Sequence, residues 1–206
     1  MQTDYELLEN GIKLFRGGTA FPLSTDAVLL ADFAAVPKGA AVCDLCAGAG
    51  ALGLLLLDRD PSLSVTALEL RAEPCALMER SRAENALGDR FRVLRGDVRA
   101  VRQLLPHGSF RQVVCNPPYY PVGSGFAPAD ETQAVARTEL CCALREAGLE
   151  PKTLRPVCPR PDSAPSLLLL RSVKGGKPGL AWLPPLILSN PDGTPTAEYR
   201  RIYRMT

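Results

Sequence analysis

Residues 40–53 read AAVCDLCAGAGALG, and this stretch decides the fold. Its first six residues form a short apolar strand, its middle holds glycines, and the apolar run ALGLLLLD at 51–58 continues it as a helix. Glycines at such a junction allow positive φ angles and let a ligand approach the backbone. The stretch therefore predicts a strand–loop–helix unit with a ligand site at the carboxyl end of its strand.

The same alternation continues beyond this stretch. Strands are predicted at 63–70, 90–97 and 110–115, with helices at 72–88 and 98–105. Parallel strands joined by helices have right-handed crossovers, which cover both faces of a sheet. We therefore predict an α/β sandwich with a mainly parallel sheet.

Smaller elements flank this core. Asn10-Gly11 between apolar runs predicts a β-hairpin, and Ser24 or Thr25 caps a helix that stops near Pro37. C-terminal to the core we expect a helix at 130–147, two strands that form an antiparallel end of the sheet, and a tail ordered only by packing. The predicted organisation is a single domain over 1–206, with a hairpin and helix at 1–39, the core at 40–173 and the tail at 174–206.

Composition excludes several classes of protein. The chain has 206 residues, of which 46% are hydrophobic and 22% charged, so it is neither a disordered chain nor a membrane protein. No apolar run approaches the ~20 residues that span a bilayer. The first ten residues are acidic and do not resemble an export signal. We expect a soluble cytoplasmic protein without membrane contact, a monomer by default.

The seven cysteines are expected to be reduced thiols that behave as small hydrophobic residues. Cys43 and Cys46 form a C-x-x-C pair, but a zinc site needs a second pair of ligands and His107 is the only histidine. No metal is therefore expected.

Charge is unevenly distributed along the chain. Residues 1–70 carry 4 basic and 9 acidic side chains, residues 71–111 carry 9 and 5, and residues 171–206 carry 6 and 2. The two basic segments suit a polyanionic partner, and an ordinary solvated face is the alternative.

Acidic residues accompany the predicted ligand loop. Asp44 precedes Gly48 and Gly50, while Glu69 and Asp97 end the next two strands. A carboxylate at the end of the second strand is placed to accept the hydroxyls of a ribose. Because Asp44 would repel phosphate, the loop favours a cationic, phosphate-free nucleoside over a dinucleotide, and S-adenosyl-L-methionine has that chemistry. A plain tight turn would explain the glycines but not the spacing of the acids.

The fourth strand ends in Asn116-Pro117-Pro118-Tyr119. The prolines remove two backbone donors, so the Asn116 side chain and the Pro117 carbonyl can accept hydrogen bonds from an NH₂ group. Tyr119 offers a flat face for stacking a base. A proline-stiffened loop with a core tyrosine is the structural alternative.

These motifs resemble a known family. DLCAGAGALGL, ALEL, RGD and NPPYY, in this order, resemble the class I N6-adenine methyltransferases, whose fold is Rossmann-like. FPLSTDAVLLADFA, NPPYYPVGSG and KGGKPGL further resemble the bacterial valine-tRNA adenine-37 N6-methyltransferases. The resemblance covers nearly the whole chain.

The resemblance implies roles for individual residues. Asp44, Gly48 and Gly50 would line the methionine part of the cofactor, Glu69 its ribose and Asp97 its adenine amino group. Residues 116–119 would hold the flipped target base. Thr25 and Asp26 would close over the cofactor, with a simple helix cap as the alternative.

The chain also departs from the family pattern. Thr138 replaces a histidine, and after Leu140 about one helix and one strand are missing. Three hypotheses follow: methylation of adenine N6 in tRNA; methylation of a protein glutamine amide, whose NH₂ fits the same acceptors; or a catalytically impaired remnant that binds cofactor or RNA.

Overall fold

A computed structural model describes residues 4–17, 23–116 and 148–205. The chain divides into two compact units, residues 1–118 and 119–206. The single domain predicted over 1–206 stays a prediction; the division in the structure falls at 118, not at 39 or 173.

The first unit opens with the predicted hairpin. β1 (Tyr5–Leu7) and β2 (Lys13–Phe15) are antiparallel, and the intervening Gly11 has φ +99°. The backbone N–H groups of Asn10 and Ile12 donate to the carboxylate of Asp58 at 3.1 and 3.3 Å. Since Asp58 lies 46 to 48 residues away, these bonds tie the hairpin to the core of the unit.

Four strands form the predicted parallel sheet, and their order is β5-β4-β3-β6. The sheet places the carboxyl ends of all four strands at one edge. Its strands are β3 (Ala41–Leu45), β4 (Ser64–Glu69), β5 (Phe91–Arg95) and β6 (Gln112–Cys115).

The helices of this unit follow the predicted alternation with the strands. α1 (Thr25–Phe33) precedes the sheet, and α2 (Ala51–Arg59), α3 (Ala72–Glu84) and the short α4 (Val101–Leu104) follow its strands. A 3₁₀ turn, Val98–Ala100, replaces the first turn of the helix predicted at 98–105.

Close packing fixes where α2 begins. A Cβ on Gly50 would lie 2.9 Å from Met78 Cγ, and one on Gly53 would lie 2.9 Å from Val65 Cγ1. Gly50 also has φ +83°. These two glycines therefore serve helix–sheet packing, and the close approach sets the position of the loop before them.

The second unit has its own four-stranded sheet. β7 (Leu149–Cys158) and β8 (Leu167–Lys174) are antiparallel, as predicted. Among the described residues these strands form a sheet separate from the parallel one rather than its end. β9 (Ala181–Trp182) and β10 (Leu186–Ile187) run parallel to β7.

The C-terminal tail carries more structure than predicted. Besides β9 and β10 it forms α5 (Ala197–Ile202), capped by the Thr196 side chain, which accepts from Tyr199 N at 3.1 Å. Arg155 on β7 donates two hydrogen bonds of 2.9 and 2.7 Å to Glu198, which anchors this helix. Two-residue strands have no periodicity that a sequence pattern can reveal.

Two predictions fall on residues that the structure does not describe. They are the helix at 130–147 and the missing helix and strand after Leu140. Among the described residues, no helix has the length and apolar character needed to cross a membrane.

Candidate active site

The loop between β3 and α2 is built around left-handed backbone conformations. Cys46, Gly48 and Gly50 have φ angles of +58°, +56° and +83°. Ala47 N donates to Leu68 O at 3.1 Å, which holds the loop against the end of β4. A Cβ on Gly48 would meet no atom within 4 Å, so a ligand can approach the backbone there.

Asp44 lies beneath this loop and is 1% exposed. Its Oδ2 accepts a hydrogen bond from Gly53 N at 3.0 Å. Burial raises the pKa of Asp44 to about 7; the bond from Gly53 opposes that rise, and the neighbouring Glu69 adds to it. A carboxyl group with a pKa near 7 is about half protonated at neutral pH. A cationic ligand bound nearby would stabilise its ionised form.

Glu69 links the loop to the end of β4. Its Oε2 accepts from Gly48 N at 2.9 Å and its Oε1 accepts from Arg71 N at 3.0 Å. Its side chain is 11% exposed. Each carboxylate oxygen can accept a second hydrogen bond, so the orientation of Glu69 is fixed while acceptor capacity for hydroxyl groups remains.

Asp97 is bound by an arginine that the sequence analysis did not single out. Its carboxylate accepts from Arg99 N at 2.9 Å and from Arg99 Nε at 2.9 and 3.1 Å. These bonds lower the pKa of Asp97 to about 2. An adenine amino group at Asp97 would have to share this carboxylate with Arg99.

The start of α1 tests whether Thr25 and Asp26 cap the helix, which is the alternative to their closure over a cofactor. The cap is Ser24, whose Oγ accepts from Ala27 N at 3.3 Å. Thr25 and Asp26 are the first two helical residues, so the alternative that they cap the helix is wrong. An acidic residue in the first turn also favours the helix through its dipole. Their closure over a cofactor stays a prediction.

Asn116 follows β6 at the same edge of the sheet. Leu45 is in register with Cys115, so Asn116 comes one residue after the β6 position that faces the end of β3. The parallel pairing thus brings Asn116 and the loop after Asp44 to neighbouring strand ends. Pro117, Pro118 and Tyr119 lie outside the described residues.

The β3–β6 register places a third cysteine near the C-x-x-C pair. Leu45 is in register with Cys115, so Cys46 and Cys115 lie at neighbouring strand ends. Spacing along the sequence could not reveal this arrangement. Over residues 4–17, 23–116 and 148–205 there is no cluster of three potential metal ligands, and the expectation of no metal stays a prediction.

Comparison with known proteins agrees with this architecture. Residues 24–135 match a family model described as methyltransferase small domain. A solved structure, a predicted O-methyltransferase (Atu636) from Agrobacterium tumefaciens, superposes with a TM-score of 0.70 at 25% identity, covering 86% of this chain and 95% of that one. The Rossmann-like class I methyltransferase sandwich is thereby confirmed.

Curated relatives carry a more specific name. A tRNA1(Val) (adenine(37)-N6)-methyltransferase of Shewanella sp. (strain MR-4) is 31% identical over 117 residues, which are 56% of this chain and 48% of the relative. One from Shewanella sp. (strain W3-18-1) is 28% identical over 153 residues, 71% of this chain and 59% of the relative. The chain spans about half the length of the curated relatives it matches. On the family model, which covers more than half of its residues, the chain belongs to the methyltransferase small domain family.

Proposed function

We propose that this chain is an S-adenosyl-L-methionine-dependent methyltransferase that acts on the exocyclic N6 of adenine in tRNA. The observation that carries the proposal is the buried Asp44 beneath an open glycine loop, which favours a cationic nucleoside. Family membership supports methyl transfer, and the names of the relatives support the anticodon-loop adenine of valine tRNA as the target.

The residues present fit this cofactor. Its amino and sulfonium groups are cationic, which suits Asp44, and its ribose hydroxyls suit the acceptors that remain on Glu69. Gly48 leaves open space above the loop backbone. When bound, the cofactor supplies an electrophilic methyl group.

Asn116 would position the group that receives the methyl. Its side-chain oxygen can accept one hydrogen of the adenine amino group and stabilise the positive charge that develops on the nitrogen during transfer. A base in the single-stranded anticodon loop leaves its stack at low cost, and Tyr119 would then stack against it.

The second unit supports RNA as the substrate. Residues 148–205 hold 9 basic and 4 acidic side chains, and no acidic residue occurs from 163 to 191. Within that acid-free stretch, Trp182 is 56% exposed and Lys177 is exposed. An exposed aromatic ring in a segment whose charged side chains are all basic suits single-stranded nucleic acid more than a glutamine in a protein. The cytoplasmic location follows from this substrate.

Methyl transfer to tRNA tests the proposal. Labelled cofactor is incubated with the protein and valine tRNA, and the modified nucleosides are identified by mass spectrometry. N6-methyladenosine is expected from the unmutated chain and not from Asn116→Ala. Gln103→Ala, which removes an exposed amide, is the matched control and should retain activity.

Two other outcomes would contradict the proposal. Label in a protein glutamine but not in tRNA would favour the amide substrate. Cofactor binding without transfer to either substrate would favour the impaired remnant.

A further inference from the structure

Residues 177–184 of the second unit are held by their backbone while their side chains face solvent. β9 lies within this segment and pairs with β7, and Leu183 N donates to Leu154 O at 2.9 Å. Every residue of the segment except Leu180 is exposed. The backbone therefore fixes the segment, and most of its side chains are available to a partner.

Two cationic side chains of β7 brace the ends of this segment. Lys152 Nζ donates to the carbonyl oxygen of Lys177, and Arg155 Nε donates to that of Pro184 at 3.1 Å. The Arg155 side chain is 17% exposed, and its other two guanidinium nitrogens bind the carboxylate of Glu198. Because this carboxylate neutralises its charge, Arg155 acts on the segment by positioning it.

Gly176 leaves room for the bond from Lys152. A Cβ on Gly176 would lie 3.1 Å from Lys152 Cε and 3.2 Å from both Glu150 Cβ and Val173 O. Any larger residue would therefore press on the lysine chain that reaches the Lys177 carbonyl. The glycine and the lysine together fix where the segment begins.

The exposed side chains of segment 177–184 suit a strand of nucleic acid. Trp182 is 56% exposed on β9, and Lys177 is exposed at the start of the segment. An aromatic ring can stack on a base of any sequence, and an ammonium group attracts a phosphate. No acidic residue occurs from 163 to 191, so no side chain of this stretch repels a phosphate. A surface that is already ordered loses little conformational entropy when it binds.

We propose that segment 177–184 is a preformed binding surface for an unpaired strand of RNA. Trp182 stacks on a base and Lys177 contacts a phosphate. Lys152 and Arg155 are positioning residues that hold the surface without touching the RNA. The choice of RNA as the partner rests on the proposed function, whereas the bracing of the segment does not.

Fluorescence tests the proposal directly, because Trp182 is the only tryptophan of the chain. The full chain is titrated with a single-stranded oligouridylate and, separately, with an RNA duplex of the same length. We expect the single strand to quench the tryptophan fluorescence in a saturable manner. The duplex should bind at least about fivefold more weakly, because its bases are already stacked on each other.

Salt dependence separates the residues that touch RNA from those that hold the surface. Lys177→Gln should weaken binding by about threefold and reduce the slope of log affinity against log salt concentration by about 0.7, the value for one phosphate contact on a single strand. Lys152→Met should weaken binding by about threefold but leave the slope unchanged, since its ammonium binds a carbonyl oxygen. Gly176→Ala should reproduce the Lys152→Met result.

The matched control is Arg160→Gln, which removes an exposed cation beside Asp162, outside the acid-free stretch. It should change neither the affinity nor the slope. Thermal unfolding checks that each variant is folded.

A single strand that does not quench Trp182 would overturn the proposal and favour a protein partner for the exposed apolar side chains. A reduced salt slope or an unchanged affinity in Lys152→Met would overturn its positioning role. If the strand binds but no methyl group reaches tRNA, the proposed function fails and the surface stands. If N6-methyladenosine forms while tRNA leaves the fluorescence unchanged, the surface is wrong and the proposed function stands.

Discussion

The two units of this chain handle charge in opposite ways. Residues 1–118 contain 13 basic and 14 acidic side chains, and three of the acids, Asp44, Asp58 and Glu69, are buried. Residues 148–205 contain 9 basic and 4 acidic side chains; one of the acids, Glu150, is buried, and Trp182 is exposed. The first unit suits the binding of one cationic group at a fixed position, whereas the second suits the binding of an extended polyanion.

The physical difference between these regions is solvation. A buried carboxylate interacts strongly at short range and is little screened by salt, so it can select a ligand by charge and position. Exposed cations interact weakly one at a time, and binding of a polyanion through them decreases as the salt concentration rises. Substitution of the buried Asp44 should therefore leave tRNA binding unchanged, and substitution of exposed residues in 148–205 should leave cofactor binding unchanged.

The largest effect is expected from Asp44→Asn. Loss of a buried charge opposite a cationic ligand costs about 2–5 kcal/mol, so affinity for S-adenosylmethionine should decrease by roughly 100-fold. Asparagine can still accept from Gly53 N, and the burial cost of the charge disappears, so the melting temperature of the free protein should rise at neutral pH. Calorimetry and thermal unfolding measure the two effects.

The matched control for this substitution is Asp89→Asn, which changes an exposed acid. Unchanged cofactor affinity in Asp44→Asn, or decreased tRNA affinity, would contradict the claim that Asp44 acts on cofactor binding alone.

Gly50→Ala should destabilise the first unit by about 2–3 kcal/mol, because the new methyl group meets Met78 and the backbone is left-handed. Gly48→Ala meets only open space and should cost about 1 kcal/mol through its φ of +56°. Chemical denaturation gives the free energy of unfolding of both variants. The difference between them separates the cost of the packing clash from the cost of the left-handed backbone. Equal losses of stability would contradict the close contact at Gly50.

The pH dependence of cofactor binding should follow Asp44. With a pKa of about 7, its ionised fraction decreases by about tenfold from pH 8 to pH 6, and affinity for the cationic cofactor should decrease in parallel. The pKa lies above that of an unfolded aspartate, so the contribution of Asp44 to stability is present at acidic pH and is lost as pH rises through about 7. Titrations across this range should show both trends, and Asp44→Asn should remove them.

Trp182→Ala should weaken tRNA binding by about fivefold to tenfold, at the lower end of the effect of removing a stacked ring. Trp182→Phe retains an aromatic face and should restore most of the affinity. Gel-shift titration measures both variants. If Trp182→Phe lost as much tRNA affinity as Trp182→Ala, the result would argue against stacking.

The parallel sheet and the strand-end acids were predictable because local patterns determine them. Alternating strands and helices predict a parallel sheet, although not its β5-β4-β3-β6 order, and the glycines of the loop at Gly48 predict its positive φ angles. The Arg99 contact with Asp97 was less visible, because an arginine near an acid is common and only side-chain placement decides whether they bond.

The positions of Cys46 and Cys115 show where sequence patterns are insufficient. The residues are 69 positions apart, and only the parallel register of β3 with β6 makes them neighbours. The short strands β9 and β10 were missed for a related reason, since pairing with β7 rather than local periodicity defines them.

Salt dependence tests the contrast between the units most directly. Affinities for S-adenosylmethionine and for valine tRNA are measured on the same protein at roughly 50 and 200 mM salt. Over this range the affinity of a protein that binds through phosphate contacts decreases by orders of magnitude. The account predicts that tRNA affinity decreases by at least about tenfold, while cofactor affinity changes by less than about twofold. A parallel decrease in both affinities, or tRNA binding that is insensitive to salt, would contradict it.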